Sequence, residues 1–143
     1  MKPMLLIADN DAGLREIYQR FLFRQGYVVE TAADGLECVE KLRRLMPEVL
    51  VLGRELHWGG GDGVLAWLRE QPGLARASVV LTATVGCPAD AFGPVRPPVV
   101  TFLPKPFQLT ALLESVRAAL AESQRDERYY LNRTSAYPEL YIG

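Results

Sequence analysis

Met4-Leu5-Leu6-Ile7-Ala8-Asp9-Asn10-Asp11 is a short unbroken apolar run that stops on three polar residues, and Val49-Leu50-Val51-Leu52-Gly53 is a second run of the same kind. Side chains of a strand point alternately to its two faces, so apolar residues at every position mean a strand covered on both sides. After the first run the period changes. Leu14, Ile17, Tyr18, Phe21 and Leu22 recur at helical spacing, and Gly26 stands where a helix C-terminal cap belongs. Residues 27–31 are again β-rich. Asp34 followed by Glu37 reads as a capping box, opening a helix with Leu36, Val39, Leu42 and Met46 on one face, and Pro47 ends it.

The alternation continues to the end of the chain. His57-Trp58-Gly59-Gly60-Gly61-Asp62-Gly63 is a loop, from which Asp62 is expected to cap a short helix carrying Val64, Leu65 and Leu68. Residues 78–82 and 99–103 read as strands. Residues 107–122 read as a helix with Leu109, Leu112, Leu113, Val116 and Leu120 inward. Five strands alternating with helices predict an α/β fold: a doubly wound parallel sheet joined by right-handed crossovers, with helices on both faces. One unit breaks the rhythm. Between Thr84 and Val99 stand Pro88, Pro94, Pro97 and Pro98 with Gly86 and Gly93, so the fourth helix is expected to be short or irregular, at most a turn over 89–92. The domain is expected to span 1–122. Residues 123–143, polar and with four tyrosines, read as a helix extension and a tail that either packs back or is loose.

Composition narrows the partners. At 143 residues the chain is one domain, and 49% hydrophobic with 23% charged residues is an ordinary globular balance. Sixteen Lys+Arg against 17 Asp+Glu leave a net charge of -1, which argues against bulk binding to nucleic acid or anionic lipid. No apolar run approaches the ~18 residues of a membrane span, and Asp9 cuts short any signal-like run. Cys38 and Cys87 fit neither a metal spacing nor a disulfide framework. A small soluble, cytoplasmic protein is expected, with no membrane or nucleic-acid partner.

Ligands of an open parallel sheet gather at the C-terminal ends of its strands. Those ends carry Asp9-Asn10-Asp11, Gly53, Thr82 and Lys105-Pro106. Together with Pro47-Glu48-Val49-Leu50-Val51-Leu52, Asp62-Gly63, Leu81-Thr82-Ala83 and Leu103-Pro104-Lys105-Pro106-Phe107, this ordered set resembles the receiver domain of two-component response regulators, over residues 3–122. The resemblance implies a (βα)5 flavodoxin-like fold. It also implies transfer of a phosphoryl group from a histidine kinase to an Asp ending the third strand. That chemistry needs an attacking carboxylate, paired acids for Mg²⁺, and a hydroxyl and a lysine for the phosphoryl oxygens. Thr82 and Lys105 match the last two roles, and Asp9 matches the first acid.

The departures fall on phosphoryl capture. Gly53 stands at the phospho-acceptor position and has no side chain to form an acyl phosphate. Asn10 replaces the second acid with a neutral amide, so Mg²⁺ binding is not expected and Asp9 alone would hold it weakly. Two residues are inserted between Gly53 and Asp62. Phe102, at the family's switch-aromatic position, lacks a hydroxyl. The chain thus resembles a degenerate pseudo-receiver with a vestigial pocket of Asp9, Asn10, Gly53, Thr82 and Lys105.

Asp9 is expected to pair with Lys105, since a partly buried ammonium needs a counter-charge, and Asp11 to cap the first helix. Glu55, two positions past Gly53, is either a solvated loop acid or a carboxylate near Lys105 that imitates the phosphorylated state. His57 reads as a plain surface histidine without metal partners. An exposed Trp58 would mark a contact surface. No phosphate-loop pattern accompanies Gly59–Gly63, and flavin binding would rest on scaffold analogy alone. The expected function is that of a stand-alone module signalling by phosphorylation-independent contact with a signalling protein, a histidine kinase or a second copy of itself. The rival is a receiver still phosphorylated on a relocated carboxylate, Glu55 or Asp9.

Overall fold

The computed structural model describes residues 2–71, 77–84 and 96–136, of which 124–136 are described as backbone. Its elements are β1 (Met4–Ala8), α1 (Ala12–Arg24), β2 (Val28–Ala32), α2 (Gly35–Leu45), β3 (Val49–Gly53), α3 (Gly60–Arg69), β4 (Ser78–Thr84), β5 (Val99–Lys105) and α4 (Leu109–Ala136). The two apolar runs become neighbouring central strands, because burial on both faces is where a strand without polar alternation is stable. All pairings are parallel and the sheet order is β2-β1-β3-β4-β5.

Period-2 alternation splits the central strands between two cores. Leu6, Leu50, Leu52, Val79 and Leu81 face α2 and α3, where they meet Cys38, Leu42, Val64, Leu65 and Leu68. Leu5, Ile7, Val49, Val51 and Val80 face the other way, onto Tyr18 and Leu22 of α1 and Leu112, Val116 and Ala119 of α4. Fully burying such a side chain contributes about 1.5–3 kcal/mol. Helices therefore cover both faces of a parallel sheet, the doubly wound flavodoxin-like architecture the sequence predicts.

Local signals set the helix ends. Asp11 is the N-cap of α1 and accepts from the Leu14 N–H at 3.1 Å. Gly26, at φ 98, lets the chain turn out of that helix. Asp34 caps α2 by accepting from Glu37 N–H at 2.9 Å, and the Glu37 carboxylate reaches back to Ala33 N–H at 3.2 Å.

Some boundaries differ from expectation. The N-cap of α3 is Gly59, with no side-chain cap bond, and Asp62 lies inside the first turn instead of capping it. The left-handed Gly59 and Gly60 start the helix earlier than a carboxylate cap at Asp62 would. Strand β2 lies one residue later than expected, β4 and β5 each run two residues further, and α4, expected over 107–122 with a helix extension after it, spans Leu109–Ala136. The fourth-helix turn at 89–92 and the end of the tyrosine-bearing tail lie outside the described residues.

Candidate functional site

The sheet order reverses direction between β1 and β3, the place beyond the strand C-terminal ends where ligands of an open parallel sheet gather. Asp9 follows β1 directly and is 3% exposed. Its surroundings hold it on several sides. Asp9 N–H donates to Ala32 O at 3.1 Å, and its carbonyl accepts from Arg15 Nη1 at 2.6 Å. Its carboxylate accepts from the Asp11 N–H through Oδ1 at 2.8 Å and from Lys105 Nζ through Oδ2 at 2.5 Å.

Lys105 ends β5, so this ion pair reaches past β4 and β3, three strand spacings of roughly 4.8 Å each. It passes close to Gly53. A Cβ built on Gly53 would lie 3.5 Å from Asp9 Oδ2 and 3.3 Å from Ala8 O. Thr82 sits opposite Gly53 in the β3–β4 register, is 1% exposed, and donates its hydroxyl to Leu52 O at 3.4 Å. Asp9, Gly53, Thr82 and Lys105 are therefore brought to one edge. Asn10 is not part of the cluster: it is exposed, and its Nδ2 lies 3.4 Å from His57 Nε2. Phe102 is half-buried against the α2/α3 core.

Glu55 is an exposed loop acid with one carboxylate oxygen tied to the end of β4. Its Oε1 accepts from both the N–H and the hydroxyl of Thr84, each at 2.8 Å. Burial works against ionising this carboxyl, but the Thr84 hydrogen bonds, its own N–H and the charge of Lys105 outweigh it. The group is held below its ordinary value of 4.5. Thr84 had no place in the sequence reading. Its position two residues past Thr82, on the same side by strand alternation, was the available signal.

The loop between β3 and α3 is anchored at several points. Leu56 is buried at 3% exposure in the α2/α3 core. His57 O accepts from Gly35 N–H at 2.8 Å. Trp58 follows at φ 62 and is 72% exposed. Glycine is required at position 35, because a Cβ there would stand 2.1 Å from Trp58 O. Gly35→Ala is expected to force loop and helix apart and to lower stability by about 1–3 kcal/mol, read as a shifted midpoint in urea unfolding.

The donors at this edge do not fit a hard divalent cation such as Mg²⁺, which needs carboxylate oxygens free to coordinate it. Both Asp9 oxygens are engaged, Asp11 Oδ1 caps α1, and Gly53 supplies nothing. Among the described residues no three His, Cys, Asp or Glu side chains form a metal-binding group. What the arrangement does supply is a buried ion pair and a carboxylate that ties two strand ends together.

This fold, with an acid after β1, a hydroxyl on β4 and a lysine ending β5, is that of a signalling receiver module. The chain belongs to the response regulator receiver domain family, whose model matches residues 5–117. Response regulator MprA of Mycobacterium leprae is 35% identical over 123 residues, covering 86% of this chain and 53% of that protein. The probable transcriptional regulator ycf27 of Guillardia theta is 27% identical over 124 residues, covering 87% and 48%. The chain spans about half the length of these curated relatives. Among solved structures, the signal receiver domain of a putative Luxo repressor protein from Vibrio parahaemolyticus superposes with a TM-score of 0.80 at 20% identity, covering 90% of this chain and 98% of that one. A CheY-like receiver domain protein from Methanospirillum hungatei gives 0.78 at 18% identity, covering 88% and 99%. Both share the fold. No helix among the described residues is long and apolar enough to cross a membrane.

Proposed function

We propose that this receiver domain signals by contact with a protein partner, in the cytoplasm, without being phosphorylated. The observation that carries the reading is Gly53 at the end of β3, where the resemblance to the family requires the attacking carboxylate. Two further features support it. The Asp9 carboxylate that would hold a metal is instead closed by Lys105. Asn10, in place of a second acid, turns to His57. The remaining carboxylate, Glu55, is bound to Thr84 and is poorly placed to act as a substitute nucleophile.

Residues 1–122 form the signalling unit in this reading, and 123–143 are a helix extension and tail, of which the helix is described to Ala136. The partner is a signalling protein or a second copy of the chain. The test is intact mass after incubation with acetyl phosphate and Mg²⁺. An unchanged mass is expected. A stoichiometric, base-labile gain of about 80 Da overturns the reading, and its loss in Glu55→Ala or Asp9→Ala would place the acceptor on that carboxylate.

A further inference from the structure

The β3–β4 ladder ends in an unusual way. Arg54 N–H donates to Thr82 O at 2.8 Å, one step beyond the last residue of β3. In a parallel ladder the next donor is the Thr84 N–H, and its acceptor would be the Arg54 carbonyl. That carbonyl is turned away and accepts instead from Gly61 N–H at 3.0 Å, as the chain bends into α3. The close approach is possible because position 61 is glycine: a Cβ there would meet the Arg54 Cα and the Gly53 carbonyl at 2.9 Å. The Thr84 amide would lose its ladder partner. Glu55 Oε1 takes the place of that carbonyl at 2.8 Å and accepts the Thr84 hydroxyl at the same distance.

Thr84 is also the register partner of Lys105, whose ammonium is bound to Asp9. Lys105 is bonded to Asp9, and its charge therefore acts on the Glu55 carboxylate only at longer range. We propose that Glu55 is the resident anion of this site: its carboxylate completes the β3–β4 ladder at Thr84 and holds the 54–59 loop on the end of β4 permanently. A transferred phosphoryl group would bring negative charge only transiently. This assignment rests on the reading that no phosphoryl group enters the site, and it makes Glu55 a positioning residue whose charge replaces that input.

A backbone carbonyl would do the same geometric work without charge, so the charge itself is testable. Glu55→Gln keeps an acceptor oxygen at the same reach and removes the charge, whereas Glu55→Ala removes both. The position is exposed, and far-UV circular dichroism checks that each variant folds. The readout is hydrogen exchange of the Thr84 amide by nuclear magnetic resonance, with the Leu50 amide in the centre of β3 as internal reference. Glu55→Ala is expected to speed Thr84 exchange at least about tenfold, the loss of a charge-assisted bond, with Leu50 unchanged. Glu55→Gln is expected to fall between that variant and the natural chain. Unchanged Thr84 exchange in Glu55→Ala overturns the proposal, as does a Glu55→Gln value equal to that of the natural chain. A phosphoryl adduct on the natural chain, with the Thr84 amide still dependent on Glu55, would retire the phosphorylation-free reading and leave this contact standing.

Discussion

If the proposed phosphorylation-free signalling holds, Gly53→Asp is expected to give the chain the ability to take a phosphoryl group that the natural chain does not take. The backbone is already in place. A Cβ at this position meets Ala8 O at 3.3 Å and Asp9 Oδ2 at 3.5 Å, so the neighbours need give by only a few tenths of an ångström. The new carboxylate would sit beside Asp9, with Thr82 and Lys105 at the same edge. Two adjacent carboxylates repel unless a cation lies between them. The variant should therefore be less stable than the natural chain without Mg²⁺ and should recover with it. Saturation at 100 times the dissociation constant would contribute about 2.7 kcal/mol. Adding Asn10→Asp supplies a further oxygen ligand and should strengthen both the Mg²⁺ response and the acetyl phosphate adduct of about 80 Da. Intact mass and thermal unfolding with and without Mg²⁺ measure these effects. A variant that folds but shows neither an adduct nor a Mg²⁺ response would mean that more than the side chain at position 53 has been lost.

Breaking the Asp9–Lys105 pair should have the largest effect on stability. Asp9 is 3% exposed, and Lys105→Met leaves its carboxylate without the cation that lies 2.5 Å away. Removing one partner of a buried pair costs about 3–5 kcal/mol. The lower end is expected here, because the Asp11 N–H still bonds Oδ1. Asp9→Asn should cost less, since the long lysine side chain can swing its ammonium toward water. The double variant should then be less damaged than the sum of the single ones, because neither charge is left buried alone. Urea unfolding of the four proteins closes this cycle. Strict additivity would mean that the pair contributes nothing beyond its separate members.

The central sheet was legible because Leu5–Ala8 and Val49–Leu52 are apolar at every position, and only burial on both faces accommodates that. Helix starts were legible where a carboxylate did the capping, as at Asp11 and Asp34. The start of α3 was not, because Gly59 and Gly60 open it through their backbone angles, which leave no mark on an apolar period. Strands β4 and β5 were read two residues short for a different reason. Thr84 and Lys105 remain extended where Glu55 and Asp9, 29 and 96 positions away in the chain, bond to them. Nothing local to either strand end encodes those partners. The same distance hid the role of Glu55. Alternation placed it on the side of Gly53, but its acceptor function depends on Arg54 turning its carbonyl to Gly61, a consequence of the tight bend into α3. A helix extension past Glu122 was legible, but its end was not, because the residues there are polar and carry no apolar period to mark a boundary.

The central claim is that this receiver holds one conformation whether or not a phosphodonor is present. The most direct measurement is the amide spectrum of the natural chain, recorded by nuclear magnetic resonance before and after addition of Mg²⁺ and acetyl phosphate. Unchanged positions for Thr82, Thr84 and Lys105 are expected. A second set of peaks for these residues, growing in with the phosphodonor and decaying as it is consumed, would contradict it.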